Sequence, residues 1–100
     1  MNKLNVIFDN ETKIKIGKQS LTVSDWIFPI LVLRSIANPN ELVCEDGLEI
    51  TFYSKSRLFH VRFYSVNGHY KKTHECVVEL PTMTDILVSY ENYRNTLKVS

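Results

Sequence analysis

Two turn signals, Asp46-Gly47 and Asn67-Gly68, interrupt a stretch of alternating apolar and polar residues between positions 41 and 80. An Asx-Gly pair supplies two residues that accept the positive φ angles of a tight hairpin turn. Alternation with a period of two places every second side chain on the same face of a sheet. These signals predict an antiparallel meander of four strands, at 42–44, 48–54, 57–65 and 69–80.

The N-terminal segment predicts shorter strands. Apolar residues occupy every second position in 4–8 and again in 12–16, where lysines alternate with Ile14 and Ile16. Residues 21–23 predict a third short strand after a break at glycine and lysine. We therefore expect a hairpin-like N-terminal section whose apolar side chains face the core.

The run 26–33 carries no charged residue and would be apolar on nearly every side of a helix. Ser24 and Asp25 are residue types that cap helix N-termini, so we expect a helix of about three turns that ends before Asn38. Pro29 lacks a backbone N–H, which requires either a kinked first turn or a later start of this helix.

A helix that is apolar all round is either enclosed by the fold or meets another chain. Three alternatives follow: burial as a middle helix within the core, self-association, or a groove for a different partner. Aromatic side chains dominate the energetics of protein interfaces, so Trp26 and Phe28 are the anchor candidates if this helix binds a partner.

Residues 82–97 predict a C-terminal amphipathic helix, because apolar residues recur at helical spacing from Met83 through Tyr90 to Leu97. A chain of 100 residues can bury roughly two-thirds of its unfolded surface, which is enough for one core. The sequence thus predicts a single α+β domain over residues 1–100. Its parts are an antiparallel sheet with an N-terminal hairpin, a buried middle helix, a four-stranded meander and the C-terminal helix.

The sharpest functional signal is the window 50–74, which contains no acidic residue. It holds five Lys or Arg residues, three histidines and six of the eleven aromatic residues. The formal charge of +1 for the whole chain therefore hides +5 in this window and −4 in the remainder. Cations that follow phosphates, interleaved with rings that stack on bases, are typical of sites for single-stranded nucleic acid.

Strand parity divides this window into two faces. Phe52, Phe59 and Phe63 fall together on the core side. The outward face and its adjoining turn are the predicted partner-binding surface, made of Tyr53, Lys55, Arg57, His60, Arg62 and Tyr64. Tyr and Arg are also ordinary cross-strand neighbours on an open sheet face, so a purely structural role is the alternative.

Motifs of catalytic and cofactor-binding families, such as GxSxG, HExxH and GxGxxG, do not occur in the sequence. We therefore expect a protein that is not an enzyme, with no catalytic residue and no cofactor. Cys44 and Cys76 form no CxxC pair, so we expect two free thiols in or near the core. His69, His74 and Cys76 match no established ligand spacing, and we expect no metal site.

The first residues contain no long apolar run, and no stretch approaches the roughly 20 apolar residues of a membrane span. We expect a cytoplasmic protein without a membrane partner. The leading hypothesis is a small protein-interaction module, either a stoichiometric binder or inhibitor of a protein partner or a homodimer. The alternative is a nucleic-acid-binding module that uses the basic and aromatic sheet face. Asn, Lys, Ile and Tyr are abundant, as in proteins of AT-rich genomes and their phages.

Overall fold

The computed structural model describes residues 3–98, which form seven strands and two helices. The elements are β1 (Leu4–Asp9), β2 (Glu11–Ile16), β3 (Gln19–Ser24), α1 (Ile27–Ala37), β4 (Leu42–Glu45), β5 (Leu48–Tyr53), β6 (Leu58–Asn67), β7 (Tyr70–Glu79) and α2 (Leu80–Lys98). Two antiparallel sheets result, with strand orders β1-β2-β3 and β4-β5-β6-β7. This architecture confirms the predicted α+β class and the four-stranded meander.

Tight turns set the register of the four-stranded sheet. Asp46 and Gly47 form the two-residue loop between β4 and β5, with φ angles of 52° and 86°. Positive φ at both loop residues is the type I′ geometry that an Asp-Gly pair favours, so this predicted turn is confirmed. The β6–β7 loop lies one residue later than predicted, at 68–69, because Asn67 still pairs with Tyr70.

The N-terminal strands form a sheet of their own. Ile14 and Ile16 are buried, as their alternation predicts, whereas Lys13 before them is exposed and Lys15 between them is half-buried. The predicted hairpin extends to three strands because β3 pairs along the whole of β2. The chain therefore has two sheets in place of one.

Helix α1 begins at Ile27, and Trp26 occupies the N-cap position without a capping side-chain hydrogen bond. The prediction that Ser24 and Asp25 cap this helix is therefore wrong. The later start accommodates Pro29, because an N–H at the third helical position has no intrahelical acceptor to lose. The helix ends before Asn38 as predicted, where the Asn38 N–H donates to the Arg34 carbonyl at 2.9 Å.

The core lies where the two helices meet the inner faces of the sheets. α1 packs on β4 and β5, and α2 packs across β1, β6 and β7. The largest fully buried side chains are Phe28, Phe59, Phe63, Ile14, Ile16, Ile27, Leu31, Leu48, Ile50, Met83, Val32 and Val61.

Helix α2 ties the two sheets together. The Phe8 ring of β1 lies 5.2 Å from the Tyr90 ring, centroid to centroid. The Tyr93 hydroxyl accepts a hydrogen bond of 2.7 Å from the Asn10 N–H. Neither helix within residues 3–98 combines the length and apolar character that crossing a membrane requires.

Candidate functional site

The outer face of the four-stranded sheet, opposite the helices, carries most of the predicted site residues. Phe59 and Phe63 are buried on the inner face, which confirms the predicted parity of β6. His60, Arg62 and Tyr64 therefore project from the outer face. The outer face is open to solvent, since Tyr53, Leu42 and Val77 are all exposed on it.

The strand register neutralises the basic charge of this face. Arg62 pairs with Glu49 across to β5 and with Glu75 across to β7. The Arg62 Nε donates a hydrogen bond of 2.7 Å to Glu49 Oε1, and this bond raises the pKa of the guanidinium above its ordinary value. His60 Nε2 lies 3.2 Å from Glu75 Oε2. The two acids just outside the acid-free window thus lie beside Arg62, the cation at its centre.

The Tyr64 ring is already occupied by side chains of the same chain. Its hydroxyl donates to Glu49 Oε1 over 3.4 Å. The Lys71 Nζ lies 4.0 Å from the ring centroid, and the guanidinium carbon of Arg62 lies 5.7 Å from it. Tyr64 therefore stabilises its own sheet through cation–π contacts and offers little free ring surface for stacking on a base.

Lys55 and Arg57 lie at one end of the sheet. β5 ends at Tyr53, so both residues belong to the four-residue loop 54–57 and not to the outer face. The Arg57 N–H closes this loop by donating to the Tyr53 carbonyl at 2.8 Å. Arg57 also borders a shallow depression of about 370 Å³ that Glu79 lines from the other side.

A second candidate surface lies on α1. Trp26, Ile30, Leu33 and Ile36 follow one another at intervals of three or four residues, so they share one side of the helix. Each is between 38% and 58% exposed. We call these four side chains the α1 ridge. Full burial of the middle helix, as predicted, therefore holds for its opposite side only.

Phe28 belongs to the buried side of α1. Its exposed fraction is 0%, and its ring packs edge-on against Phe8 at 6.5 Å. A side chain without accessible surface is not available to a partner, so Phe28 is a core residue and not an anchor. Trp26 remains exposed at the N-terminal end of the ridge.

A cleft of about 360 Å³ adjoins Trp26 at the start of α1. Its other walls come from Asp25 and from Tyr90, Arg94 and Leu97 of α2. The Arg94 guanidinium lies 5.9 Å from the centroid of the Tyr90 ring. Sequence reasoning missed these α2 residues because they follow Trp26 by more than 60 positions, although Tyr90 and Arg94 share a helix face.

One pair of side chains resembles a nucleophile with its base. Ser65 Oγ lies 2.7 Å from His74 Nε2, and His74 is buried beside Phe63. Within residues 3–98 no carboxylate bonds to His74, so the orienting acid of a catalytic triad is missing. The same described residues contain no group of three metal-ligating side chains placed to hold an ion.

The two thiols differ in environment. Cys44 is exposed on β4, whereas Cys76 is buried on the inner face of β7. The expectation of thiols in or near the core therefore holds for Cys76 alone. Burial raises the pKa of the Cys76 thiol to about 11, which keeps it protonated and unreactive near neutral pH.

Comparison with known proteins adds no relative: no protein-family model, no curated protein and no solved structure matches the chain. The function is therefore inferred from the two surfaces themselves. On the outer sheet face, Glu49 pairs with Arg62 and Glu75 pairs with His60. The α1 ridge, in contrast, exposes large apolar side chains to solvent.

Proposed function

We propose that this chain is a non-enzymatic protein-interaction module that docks onto a partner protein through the α1 ridge. The observation that carries the proposal is a helix with two apolar sides, of which the fold buries only one. A surface helix needs a single apolar stripe, and its solvent side is ordinarily polar. A second apolar stripe is typical of an interaction surface.

The cleft beside Trp26 strengthens this proposal. Trp, Tyr and Arg are the residue types most enriched among the side chains that dominate binding energy, and Trp26, Tyr90 and Arg94 lie together there. Half of the Trp26 surface is still exposed and would be buried by a partner.

The module would act as a stoichiometric binder or inhibitor, or it would bind a second copy of itself. A cytoplasmic location and a phage or mobile-element origin belong to the same proposal and rest on the sequence.

The charge balance of the outer sheet face disfavours nucleic acid on that face. A phosphate backbone is bound by cations without competing carboxylates. Arg62 and His60 are paired with Glu49 and Glu75 instead.

Site-specific photo-cross-linking in cells that naturally express the protein tests this proposal. A photoreactive side chain replaces Leu33 in the ridge, and a matched variant carries it at Thr22, an exposed residue on β3. We expect a discrete adduct from position 33 and none from position 22. An adduct with a second copy would identify the partner as the chain itself. The same adducts from both positions, or none from position 33, would refute the ridge as the docking surface.

A further inference from the structure

The β6–β7 hairpin extends beyond the rest of its sheet. β5 pairs with β6 only as far as Glu49 and Arg62, whereas β6 and β7 remain paired to Asn67 and Tyr70. We call residues 64–73 the β6–β7 arm. Four cross-strand pairs at about 3.3 Å per residue give the arm a reach of about 13 Å.

The arm is anchored at its base and exposed towards its tip. Phe63 and His74, the pair next to the arm, are buried in the domain. Every residue from 66 to 73 is exposed, and Val66 and Tyr70 reach 74% and 82%. The arm is therefore a two-stranded ribbon that leaves the surface of a fixed core.

The charge of the arm is positive and is not neutralised. It contains Lys71, Lys72 and His69 and no acidic residue. Glu49 and Glu75 bond to Arg62 and His60, which lie nearer the core, and Glu49 also accepts a hydrogen bond from Tyr64 at the base of the arm. No carboxylate of residues 3–98 forms an ion pair with Lys71 or Lys72. Like Lys55 and Arg57 of the loop 54–57, they are cations of the acid-free window that form no ion pair within the described part of the chain, whereas Arg62 is paired.

The two lysines project from opposite faces of the ribbon, because successive strand residues alternate. Lys71 lies on the outer face, where its ammonium contacts the Tyr64 ring. Lys72 lies on the other face, so the ribbon carries a cation on each side. Such an arrangement suits a ligand with negative charge on two flanking walls.

The major groove of duplex DNA has this form. It is about 12 Å wide and about 8.5 Å deep, which admits a two-stranded ribbon, and phosphates line both of its walls. Side chains on both faces give a ribbon a thickness of about 10 Å, which is close to that width. Lysines contact phosphates, and the polar side chains of Asn67 and His69 at the tip are of types that bond to base edges.

We propose that the β6–β7 arm enters the major groove of duplex DNA, with Lys71 and Lys72 on the phosphates of its two walls. This site shares no residue with the α1 ridge and takes a different class of ligand. This chain would then bind a partner protein through the α1 ridge and duplex DNA through the β6–β7 arm.

Fluorescence anisotropy with a labelled 20-base-pair duplex at 20 mM salt tests the arm. Two phosphate contacts predict that a fivefold rise in salt weakens binding roughly 20-fold. In the variant Lys71→Gln/Lys72→Gln, we expect affinity to fall at least tenfold and this salt dependence to disappear. The matched control is Lys13→Gln/Lys15→Gln on β2, which removes the same charge elsewhere and should leave both quantities unchanged. Circular dichroism checks that each variant folds.

Three results would overturn the arm as a DNA site. The first is that the unsubstituted protein does not bind the duplex at 20 mM salt. The second is that the two double variants lose the same amount of affinity. The third is that poly-glutamate competes with the labelled duplex as effectively as unlabelled duplex does. The last result would assign the arm to an acidic protein. Leu33→Glu in the α1 ridge should bind the duplex normally, so failure of either proposal leaves the other testable.

Discussion

Glu49 is the hub of the polar network on the outer sheet face. Its Oε1 accepts hydrogen bonds from Arg62 Nε at 2.7 Å and from the Tyr64 hydroxyl at 3.4 Å. The Glu49 side chain is only 17% exposed and that of Arg62 is 29% exposed, so water screens this pair less than a surface ion pair. The network stabilises the sheet. It also engages the Arg62 guanidinium and the Tyr64 side chain, so neither group is free to bind a nucleic-acid base.

We predict that Glu49→Gln lowers the free energy of unfolding by about 1 kcal/mol, because Arg62 loses its charged acceptor in a half-buried position. Urea denaturation at neutral pH measures the change. The control is Glu75→Gln, whose carboxylate is 54% exposed and pairs with His60. A loss below about 0.5 kcal/mol is expected there. Equal losses in the two variants would show that burial does not strengthen the Glu49 pair.

Cys76 gives a prediction for pH dependence. Its pKa is raised to about 11 by burial, so the folded protein holds the thiol proton more tightly than the unfolded chain does. This contribution to stability is complete below the unfolded pKa, near 9, and is lost as the pH rises towards 11. The folded protein should therefore label at Cys44 at pH 8, while Cys76 stays unlabelled until the pH approaches 11. Rapid labelling of Cys76 in a Cys44→Ser variant at pH 8 would contradict its burial.

At the scale of elements, residues with positive φ angles lie in the turns and loops between strands and helices. Arg57 adopts a φ of 57° in the β5–β6 loop, and Gly68 adopts 64° in the β6–β7 loop. The left-handed region costs a residue with a Cβ about 1–2 kcal/mol, whereas glycine enters it freely. The two hairpins thus meet the same geometric requirement with different residues.

We predict opposite effects for the two matching substitutions. Arg57→Gly should raise the free energy of unfolding by about 0.5 kcal/mol, since relief of strain exceeds the added entropy of glycine in the unfolded chain. Gly68→Ala should lower it by about 1 kcal/mol through strain alone, because no atom lies within 4 Å of the added Cβ. Thermal unfolding measures both. Effects of the same sign would mean that loop contacts outweigh the left-handed backbone.

Helix α1 shows where sequence patterns stop being informative. Leu31 and Leu33 are the same residue type two positions apart, yet Leu31 is fully buried and Leu33 is 58% exposed. A helix that is apolar on both sides contains no periodicity to indicate which side meets the sheet. The existence of the helix could therefore be predicted, but the identity of the ridge could not.

The outer sheet face shows the same division between local and long-range information. Alternation and the Asp46-Gly47 turn are local, and they were sufficient to predict the strands and the inward position of Phe59. The neutralisation of Arg62 depends on register across two strand pairs, since Glu49 lies 13 residues away in the sequence. The split into two sheets also depends on long-range packing of α1 and α2, which no local pattern contains.

At the scale of the whole molecule, the net charge of +1 covers an uneven distribution of charge. The fold places Glu49 and Glu75 on either side of Arg62, at the centre of the basic window, and leaves the lysines of the β6–β7 arm without an ion pair among the described residues. Exposed apolar side chains form a continuous stripe along the α1 ridge, while others lie on the outer sheet face and on the β6–β7 arm. Two separate surfaces therefore stand out, one apolar and one basic.

The central claim is that a partner protein docks on the α1 ridge and not on the outer sheet face. The most direct measurement is the affinity of the cross-linked partner, or of a second copy, for Leu33→Glu and for Val77→Glu. Leu33 lies in the ridge, and Val77 is exposed on the sheet face. We predict at least a tenfold loss for Leu33→Glu, about 1.4 kcal/mol, and a change below twofold for Val77→Glu. Loss of binding in Val77→Glu with normal affinity in Leu33→Glu would contradict the claim.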